Sequence, residues 1–432
     1  MPLWFRRKSD RRVFLRHVAG VGLAALLSAC STPSTPVATP TPVGVATTLL
    51  LWHGWSGSAR QVLSQQVERF NRQRLGARVI LQSVPLANFA TDVRGAAAAG
   101  SGPHLMLIPN TWVGDLATES ALLDLEPRLS VDQRRDLLPA ALGGAQIRQS
   151  DGTQQLFGLP ICFDTVALFY NRANILAPPT DTNALLASAR GLSAPDAQPP
   201  IWGLALNLSL DMMIGYLYAF GGQIFDPAGQ LVLASSGRSG AERWLNWVRE
   251  LANDRRILAR IDHSIAVDHE IKGGRALATL DWAHQLGTYR SLWGEQIGVA
   301  PLPVLAETNM AAQAPVRSDL IALNARIGAQ EVEQALGFAR FLIGEEAQFA
   351  FLRANMQPAR ALPLDERDVQ MLAAQAIRRQ AEQGLPMANG SERAIIEHEL
   401  RVMLRQVVNG LAEPADSVTT TDRRLRERLR LS

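Results

Sequence analysis

The sequence predicts an α/β fold with two lobes, and three observations support this prediction. The chain has 432 residues, which is more than one ordinary domain needs and enough for two lobes with substantial cores. Hydrophobic residues make up 47% and charged residues 19%, which is a globular composition. Beyond Thr48, short apolar segments alternate with amphipathic ones, a pattern typical of a largely parallel sheet with helices between its strands.

The first part of this pattern predicts three strands separated by two helices. The strands are Thr48–Trp52, Arg78–Val84 and Leu105–Ile108. A helix with Leu63, Val67 and Phe70 on one face lies between the first two strands. An alanine-rich helix that runs to Gly100 precedes the third.

Elements of the same kind are predicted in the rest of the chain. Ser239 is predicted to cap a helix on which Trp244, Val248 and Leu251 share a face. Further extended segments are predicted at Ala276–Leu280 and Val299–Pro303, and amphipathic helices at Glu331–Ile343 and Ser391–Val408.

Residues 1–29 have the features of a signal peptide. A basic segment precedes the apolar run Val18–Leu27, which is much shorter than the roughly 20 apolar residues of a membrane-spanning helix. Leu27-Ser28-Ala29-Cys30 resembles the lipobox of bacterial lipoproteins, which implies that Cys30 is lipidated and becomes the mature N-terminus. The segment Arg11–Arg16 resembles a twin-arginine export signal with Asp10 before the arginines, and an ordinary basic segment is the alternative.

Residues 30–46 are rich in proline and threonine and are predicted to form an extended tether between the anchor and the globular part.

The signal segment carries six basic residues and one acidic residue, which is a net charge of +5. The total net charge of +3 therefore leaves −2 for the remainder of the chain. The basicity therefore belongs to the export segment, and nucleic acid is not an expected partner. With Cys30 lipidated, Cys162 has no partner for a disulfide.

A set of motifs occurs in a characteristic order between residues 48 and 425. The motifs are Leu51–Trp55, Glu68–Asn71, Gly100–His104, Gly158–Pro160, Asp164–Asn171, Tyr218–Gly222, Gly298–Pro303 and Pro358–Arg360. In this order they resemble the extracellular solute-binding proteins of ABC importers, the family that includes maltose-binding and glycerol-phosphate-binding proteins. Each motif alone is weakly specific, whereas the ordered set is more specific.

The resemblance implies a two-lobed periplasmic-binding-protein fold whose hinge the chain crosses more than once. The crossings are expected at Asp164-Thr165, Pro303-Val304 and Gln357–Arg360. Residues 47–163 and 304–356 would form the first lobe, and residues 164–303 and 357–432 the second. Where the family has a glycine pair before the strand that re-enters the sheet, this chain has Val316-Arg317-Ser318-Asp319.

Loops that follow predicted strands carry aromatic and polar side chains, and ligands of open parallel sheets bind beyond the carboxyl ends of the strands. A sugar requires flat aromatic faces for its C–H surface and polar groups for its hydroxyls. The predicted ligand-binding residues are Trp55, Ser56, Trp112, Asp164, Asn207, Asp281, Trp282 and Arg360. Three alternatives stay open: the tryptophans are core residues, Asp164 is a hinge residue that satisfies backbone donors, and Arg360 is a surface charge.

The sequence therefore predicts an exported, lipid-anchored and monomeric binding protein that captures a sugar or related polyol and delivers it to an ABC permease. No catalytic residue, metal site or cofactor is expected, because none of the seven histidines falls in a metal-ligand spacing. The segment Leu50–Gly57 is similar to the strand and turn of an α/β-hydrolase, but the sequence lacks the G-x-S-x-G elbow that this enzyme needs. A lipoprotein that only scaffolds other proteins is the remaining alternative.

Overall fold

A computed structural model describes residues 46–73, 75–99, 102–149, 151–261, 264–365 and 368–431. The signal segment, Cys30 and the tether predicted at 30–46 lie outside these residues, apart from residue 46. In the described residues the strands are β1 Thr47–His53, β2 Ala77–Ser83, β3 Leu105–Pro109, β4 Gln146–Arg148, β5 Gln154–Leu156, β6 Leu159–Asn171, β7 Ala205–Asn207, β8 Leu258–Arg260, β9 Ala278–Trp282, β10 Ile297–Ala300, β11 Pro315–Leu323, β12 Gln357–Pro358 and β13 Leu385–Pro386.

Helices flank these strands along the whole described chain. The α-helices are α1 Gly57–Arg72, α2 Leu86–Ala98, α3 Val113–Thr118, α4 Val131–Arg134, α5 Pro139–Gly143, α6 Thr182–Leu192, α7 Leu210–Ala219, α8 Arg238–Asn253, α9 Ser264–Lys272, α10 Leu286–Trp293, α11 Ala329–Leu342, α12 Glu345–Arg353, α13 Val369–Glu382, α14 Arg393–Val408 and α15 Pro414–Leu429. Short 3₁₀ helices span Asn110–Trp112, Glu126–Arg128, Ala283–Gln285 and Gly294–Gln296. Helix α8 begins at Arg238, so Ser239 lies inside its first turn and does not cap it as predicted.

The main sheet has the strand order β2-β1-β3-β11-β6-β9-β7-β8, with β10 and β12 also paired to β6, and β13 to β11. The strands are parallel in β2-β1-β3 and in β9-β7-β8. In the middle, β11 is antiparallel to both β3 and β6, and β6 is antiparallel to β9. The predicted parallel sheet is therefore correct at both ends and wrong at the centre, where the chain runs back between the two ends.

Strand β6 connects the two ends of the sheet. Its residues from Leu159 to Thr165 pair with β11, and its residues from Val166 to Asn171 pair with β9 and β10. Side chains of a strand alternate between the two faces of the sheet. Val166 and Leu168 accordingly lie in one hydrophobic core and Ala167 and Phe169 in another, which defines the two faces used below.

Three hydrophobic cores organise the described residues. The first core draws on residues 49–162 and 320–359, and the second core on residues 166–314 and 400–425. The junction core lies on the face of Phe163, Ala167 and Phe169, where Ala373 and Ile377 of α13 cover it. Helix α13 therefore packs against the central strand where the two ends of the sheet meet.

The second crossing of the chain between the two cores, expected at Pro303-Val304, lies later in the sequence than predicted. Leu305, Ala312 and Ala314 are buried in the second core, and Leu320 is buried in the first. The boundary expected at Pro303-Val304 does not separate these residues. We infer that the passage falls within the N-terminal half of β11.

Two glycines explain part of the motif Tyr218–Gly222. A Cβ on Gly240 in the first turn of α8 would lie 2.0 Å from the Gly222 backbone nitrogen and 2.4 Å from the Gly221 carbonyl carbon. Real Cβ atoms do not approach backbone atoms this closely. The first turn of α8 therefore lies directly against the Gly221-Gly222 turn, and only glycine permits this packing.

We expect Gly240→Ala to lower the free energy of unfolding by about 1–3 kcal/mol, because the helix must move away from the turn. Gly337→Ala, inside α11, is the matched control, because its Cβ would meet no atom within 4 Å. The control should be neutral or stabilising by up to about 1 kcal/mol. Denaturant unfolding of both variants measures the difference, and equal stabilities would contradict the packing.

In the part of the chain that the structure describes, no helix combines the length and the hydropathy that crossing a membrane requires.

Cys162 is a buried free thiol in the first core. Burial raises the pKa of this thiol well above its ordinary value. A protonated, inaccessible thiol is chemically inert, so we assign Cys162 to packing.

Candidate ligand-binding site

A cavity of about 230 Å³ lies where β6, β11 and the segment after α12 meet. It is lined by Pro109, Cys162, Phe163, Asp164, His284, Arg317, Ser318, Asp319, Asn355, Met356 and Gln357. These residues come from both ends of the sheet, since His284 follows β9 and Pro109 ends β3. The volume lies below the ~300–1,000 Å³ of pockets for drug-sized ligands, which favours a small solute or the end of a longer one.

Asp164 is the centre of the polar contacts in this cavity. Its Oδ2 lies 2.7 Å from Arg317 Nη2 and 2.7 Å from His284 Nδ1, and its Oδ1 accepts the His284 backbone N–H at 3.1 Å. The Asp164 side chain is 11% exposed, whereas those of Arg317 and His284 are 44% and 51% exposed. The sequence left open whether Asp164 contacts ligand or satisfies donors of the protein, and these contacts are of the second kind.

Trp282 lies on the same face of the sheet as Asp164, because it pairs with Val166, two residues along β6. Its indole is 8% exposed and packs in the second core. The Arg317 guanidinium carbon lies 4.5 Å from the centre of the ring. Trp282 therefore lies against a cavity residue, Arg317, and its ring is not the open platform that the prediction requires.

Asp281 lies on the opposite face, which corrects its prediction as a ligand residue. It pairs with Ala167, on the side of the junction core. Its Oδ2 accepts the Tyr289 hydroxyl at 2.6 Å, and its Oδ1 accepts the Trp282 backbone N–H at 2.8 Å. Burial raises the pKa of Asp281, against the effect of these two hydrogen bonds. Asp281 and Trp282 are adjacent in β9 and point to opposite faces of the sheet, and the Asp281 carboxyl is engaged by Tyr289.

Asn207 and Arg360 are also not among the residues that line the cavity. The Asn207 side-chain oxygen accepts the Ser209 backbone N–H at 3.2 Å, at the end of β7. Arg360 Nη2 lies 2.8 Å from Asp136 Oδ2, and its backbone N–H donates to Gln348 at 3.0 Å. The Arg360 ion pair holds the segment after β12 against residues of the first core, which the sequence motif could not show.

Trp55, Ser56 and Trp112 lie outside the cavity lining. Trp55 and Ser56 follow β1, and Trp112 ends the 3₁₀ helix after β3. Trp55 packs edge-on against Phe351, with the ring centres 6.1 Å apart, and Trp112 packs at a tilt against Phe89 at 5.6 Å. Both tryptophans are half-buried against the first core. Ser56 is exposed at the start of α1 and makes no capping hydrogen bond. Their role in ligand binding stays a prediction.

Asp319 is a cavity residue that the sequence did not single out. It is partly buried, and burial raises its pKa to about 6, against the opposing charge of Arg317.

The raised pKa gives Asp319 a defined effect on stability. Above pH 3.8 the carboxyl of the unfolded chain ionises, whereas the folded protein keeps the proton until about pH 6. Folding therefore loses stability as the pH rises from about 4 to 6, because the folded state binds more protons there. We expect Asp319→Asn to raise the free energy of unfolding at pH 7.5 by up to about 3 kcal/mol and to leave it nearly unchanged at pH 3.5.

Thermal or denaturant unfolding at both pH values measures this effect. Asp196→Asn is the matched control, since Asp196 is an exposed carboxylate. A gain for Asp319→Asn that is equal at pH 3.5 and 7.5 would contradict a titrating carboxyl at this position.

A second cavity, of about 330 Å³, lies between α7, residues 385–388 and α14. Its lining is mainly apolar, with Asp211 and Glu397 as the charged members. Burial raises the pKa of Asp211, and Arg401, whose Nη2 lies 3.8 Å from Asp211 Oδ1, opposes this shift.

The cavity residues that sequence reasoning missed are mainly Arg317, His284 and Asp319. Arg317 and Asp319 could have been suspected, because residues 316–319 differ from the glycine pair that the resemblance predicts there. His284 follows Trp282 by two residues, and this spacing at a strand end could have suggested that both reach one site. Among the described residues, no group of histidine, cysteine, aspartate and glutamate side chains is arranged to hold a metal ion.

A cavity at the junction of two α/β halves is typical of a two-lobed binding protein. Residues 55–349 match the family model of the bacterial extracellular solute-binding proteins, which is about two thirds of the chain. The protein therefore belongs to this family of exported solute-binding proteins, which serve ABC import.

Individual relatives are distant. The maltotriose-binding protein of Pyrococcus abyssi is 23% identical over 178 residues, which cover 41% of this chain and only 37% of that protein. A cyclo/maltodextrin-binding protein complexed with maltotetraose superposes with a TM-score of 0.74 at 19% identity, over 91% of this chain and 98% of that one. A cyclic α-maltosyl-1,6-maltose-binding protein from Arthrobacter globiformis gives 0.75 at 16% identity, over 89% and 100%. The structural matches establish the two-lobed fold.

Proposed function

We propose that this protein captures a neutral oligosaccharide of the maltose type in the cleft at β6 and β11 and delivers it to an ABC permease. The observation that carries the proposal is a cavity lined by residues from both ends of the sheet, among them Asp164, His284 and Arg317, at the strand that joins the two ends. A solute held there contacts both lobes. It therefore favours the arrangement in which they are closed around it.

The charges of the cavity support an uncharged ligand. Asp164 and Arg317 neutralise each other at 2.7 Å, and the remaining carboxyl, Asp319, is partly buried and has a pKa raised to about 6. An added phosphate or carboxylate would meet no unpaired cation among the described lining residues. The relatives named for maltotriose, maltotetraose and maltosyl-maltose support the same class of solute.

The location of the protein follows from its sequence and its family. We propose that residues 1–29 direct export, that Cys30 carries the lipid anchor, and that residues 30–46 separate the anchor from the binding domain. The permease would then meet the closed protein at the outer face of the membrane. We propose no bond chemistry in this cycle, in which binding and release alone transfer the solute.

Thermal unfolding in the presence of candidate solutes tests the proposed function. The chain without residues 1–29 is measured with maltose, maltotriose, glucose, a galactooligosaccharide and glycerol 3-phosphate. A solute at a thousandfold excess over its Kd stabilises the folded state by about 4 kcal/mol. We expect maltotriose or maltose to raise the melting temperature and glycerol 3-phosphate to leave it unchanged. Stabilisation by glycerol 3-phosphate alone would contradict a neutral sugar ligand.

A further inference from the structure

The Arg317 side chain lies between Asp164 of β6 and the Trp282 ring at the end of β9. Its guanidinium carbon lies 4.5 Å from the centre of the Trp282 ring, and its Nη2 lies 2.7 Å from Asp164 Oδ2. The same Nη2 lies 3.2 Å from His284 Nδ1. Asp164 of β6, with His284 beside it, thus holds the Arg317 guanidinium over the Trp282 indole.

Asp164 has little capacity left to bind a ligand. Its Oδ1 accepts the His284 backbone N–H, and its Oδ2 is shared by His284 Nδ1 and Arg317 Nη2. A carboxylate with both oxygens bonded inside the protein positions its partners. Asp164 therefore acts as a positioning residue for Arg317.

Arg317 itself keeps hydrogen-bonding capacity that faces the cavity. A guanidinium carries five N–H donors in a rigid planar fork. Within the described residues Arg317 donates to Asp164 from Nη2, which leaves the Nε and Nη1 donors to the cavity or solvent. The side chain is 44% exposed and lines the cavity. It presents donors to a ligand, while its charge is already compensated by Asp164.

We propose that Arg317 is a ligand-contacting residue that ends the sugar site at the hinge. Its free N–H groups donate to sugar hydroxyl oxygens, and its planar group covers the Trp282 ring, so that no sugar stacks there. Sugars are recognised at this end by hydrogen bonding. The inference rests on the proposed function, since it names a contact within the same cleft.

Two substitutions separate the donor role from the covering role. Arg317→Met keeps an unbranched stem over the indole and removes the donors, and Arg317→Ala removes both the donors and the cover. Arg290→Ala is the matched control, because Arg290 is an exposed arginine of α10 outside the cavity lining. Calorimetric titration with maltose and maltotriose gives the affinity of each folded protein.

We expect both Arg317 variants to bind at least about tenfold more weakly than the parent protein and the control, as the loss of a hydrogen bond from a charged group implies. Arg317→Ala should in addition show a sugar-dependent change in tryptophan emission that is absent from Arg317→Met. Adding Trp282→Phe to Arg317→Ala should remove this change. Trp282→Phe alone should bind like the parent protein.

Parent-like affinity in both Arg317 variants would overturn the proposed contact. A tenfold loss of affinity in folded Trp282→Phe alone would also overturn it, because the ring would then be a sugar platform. Failure of the parent protein to bind any neutral sugar would overturn the proposed function, and this inference with it. Melting temperatures without sugar show whether each variant is folded.

Discussion

Trp282→Ala is expected to lower the free energy of unfolding by about 3–5 kcal/mol, the usual cost of removing a buried tryptophan. The indole is 8% exposed and packs in the second core, at the end of β9. Its removal also takes away the surface against which Arg317 lies. Denaturant unfolding at neutral pH measures the loss.

Trp55→Ala is the matched control for this prediction. Trp55 is half-buried at the margin of the first core, so its loss should cost less than that of Trp282. A Trp282→Ala protein with a free energy of unfolding within about 1 kcal/mol of the parent would contradict the packing, and would restore Trp282 as an exposed platform.

Cys30→Ser is expected to remove the protein from the lipid-anchored membrane fraction almost completely. A serine hydroxyl cannot form the thioether linkage to lipid that the motif Leu27–Cys30 implies. Membrane fractionation and metabolic labelling with a fatty acid measure the effect.

Cys162→Ser is the matched control, because this buried thiol plays no part in anchoring. It should leave fractionation and labelling unchanged in the protein that folds. Fatty-acid labelling of Cys30→Ser at the parent level would contradict lipidation at Cys30.

Much of the fold followed from local pattern. Several strands and helices lie within a few residues of their predictions, as with β1 at Thr47–His53 and α14 at Arg393–Val408. The antiparallel centre of the sheet could not be predicted from local pattern, because β11 and β6 are separated by more than 140 residues. The hydrophobic period of a strand does not indicate the direction in which it pairs with a distant strand. Strand direction at the centre depends on how often the chain crosses between the lobes, which periodicity does not record.

The candidate site was predictable only in part. Asp164 and Trp282 were identified from loops and motifs, and both lie at the cavity or against its arginine. Asp281 was identified by the same reasoning, although a strand that carries Trp282 to one face must carry its neighbour to the other. Arg360 was assigned from its motif, whereas its position depends on an ion pair with Asp136, 224 residues away in sequence.

Arg317 shows why departures from a family pattern are informative. The glycine pair expected there has no side chains, and this chain supplies a guanidinium at position 317 and a carboxyl at position 319. The sequence marks the departure but cannot show that the guanidinium lies over an indole from another strand. That contact requires β6 to pair with β11 along one edge and β9 along the other.

Calorimetric titration with maltotriose, on the chain without residues 1–29, measures whether the protein binds a neutral sugar of the maltose type. We expect a single site with a Kd on the order of micromolar, about −8 kcal/mol, because capture must be firm and release to a permease must remain possible. Maltose should compete for the same site, and glycerol 3-phosphate should not. Absence of binding by maltotriose and every other neutral sugar, in a protein that unfolds cooperatively and is therefore folded, would contradict the account.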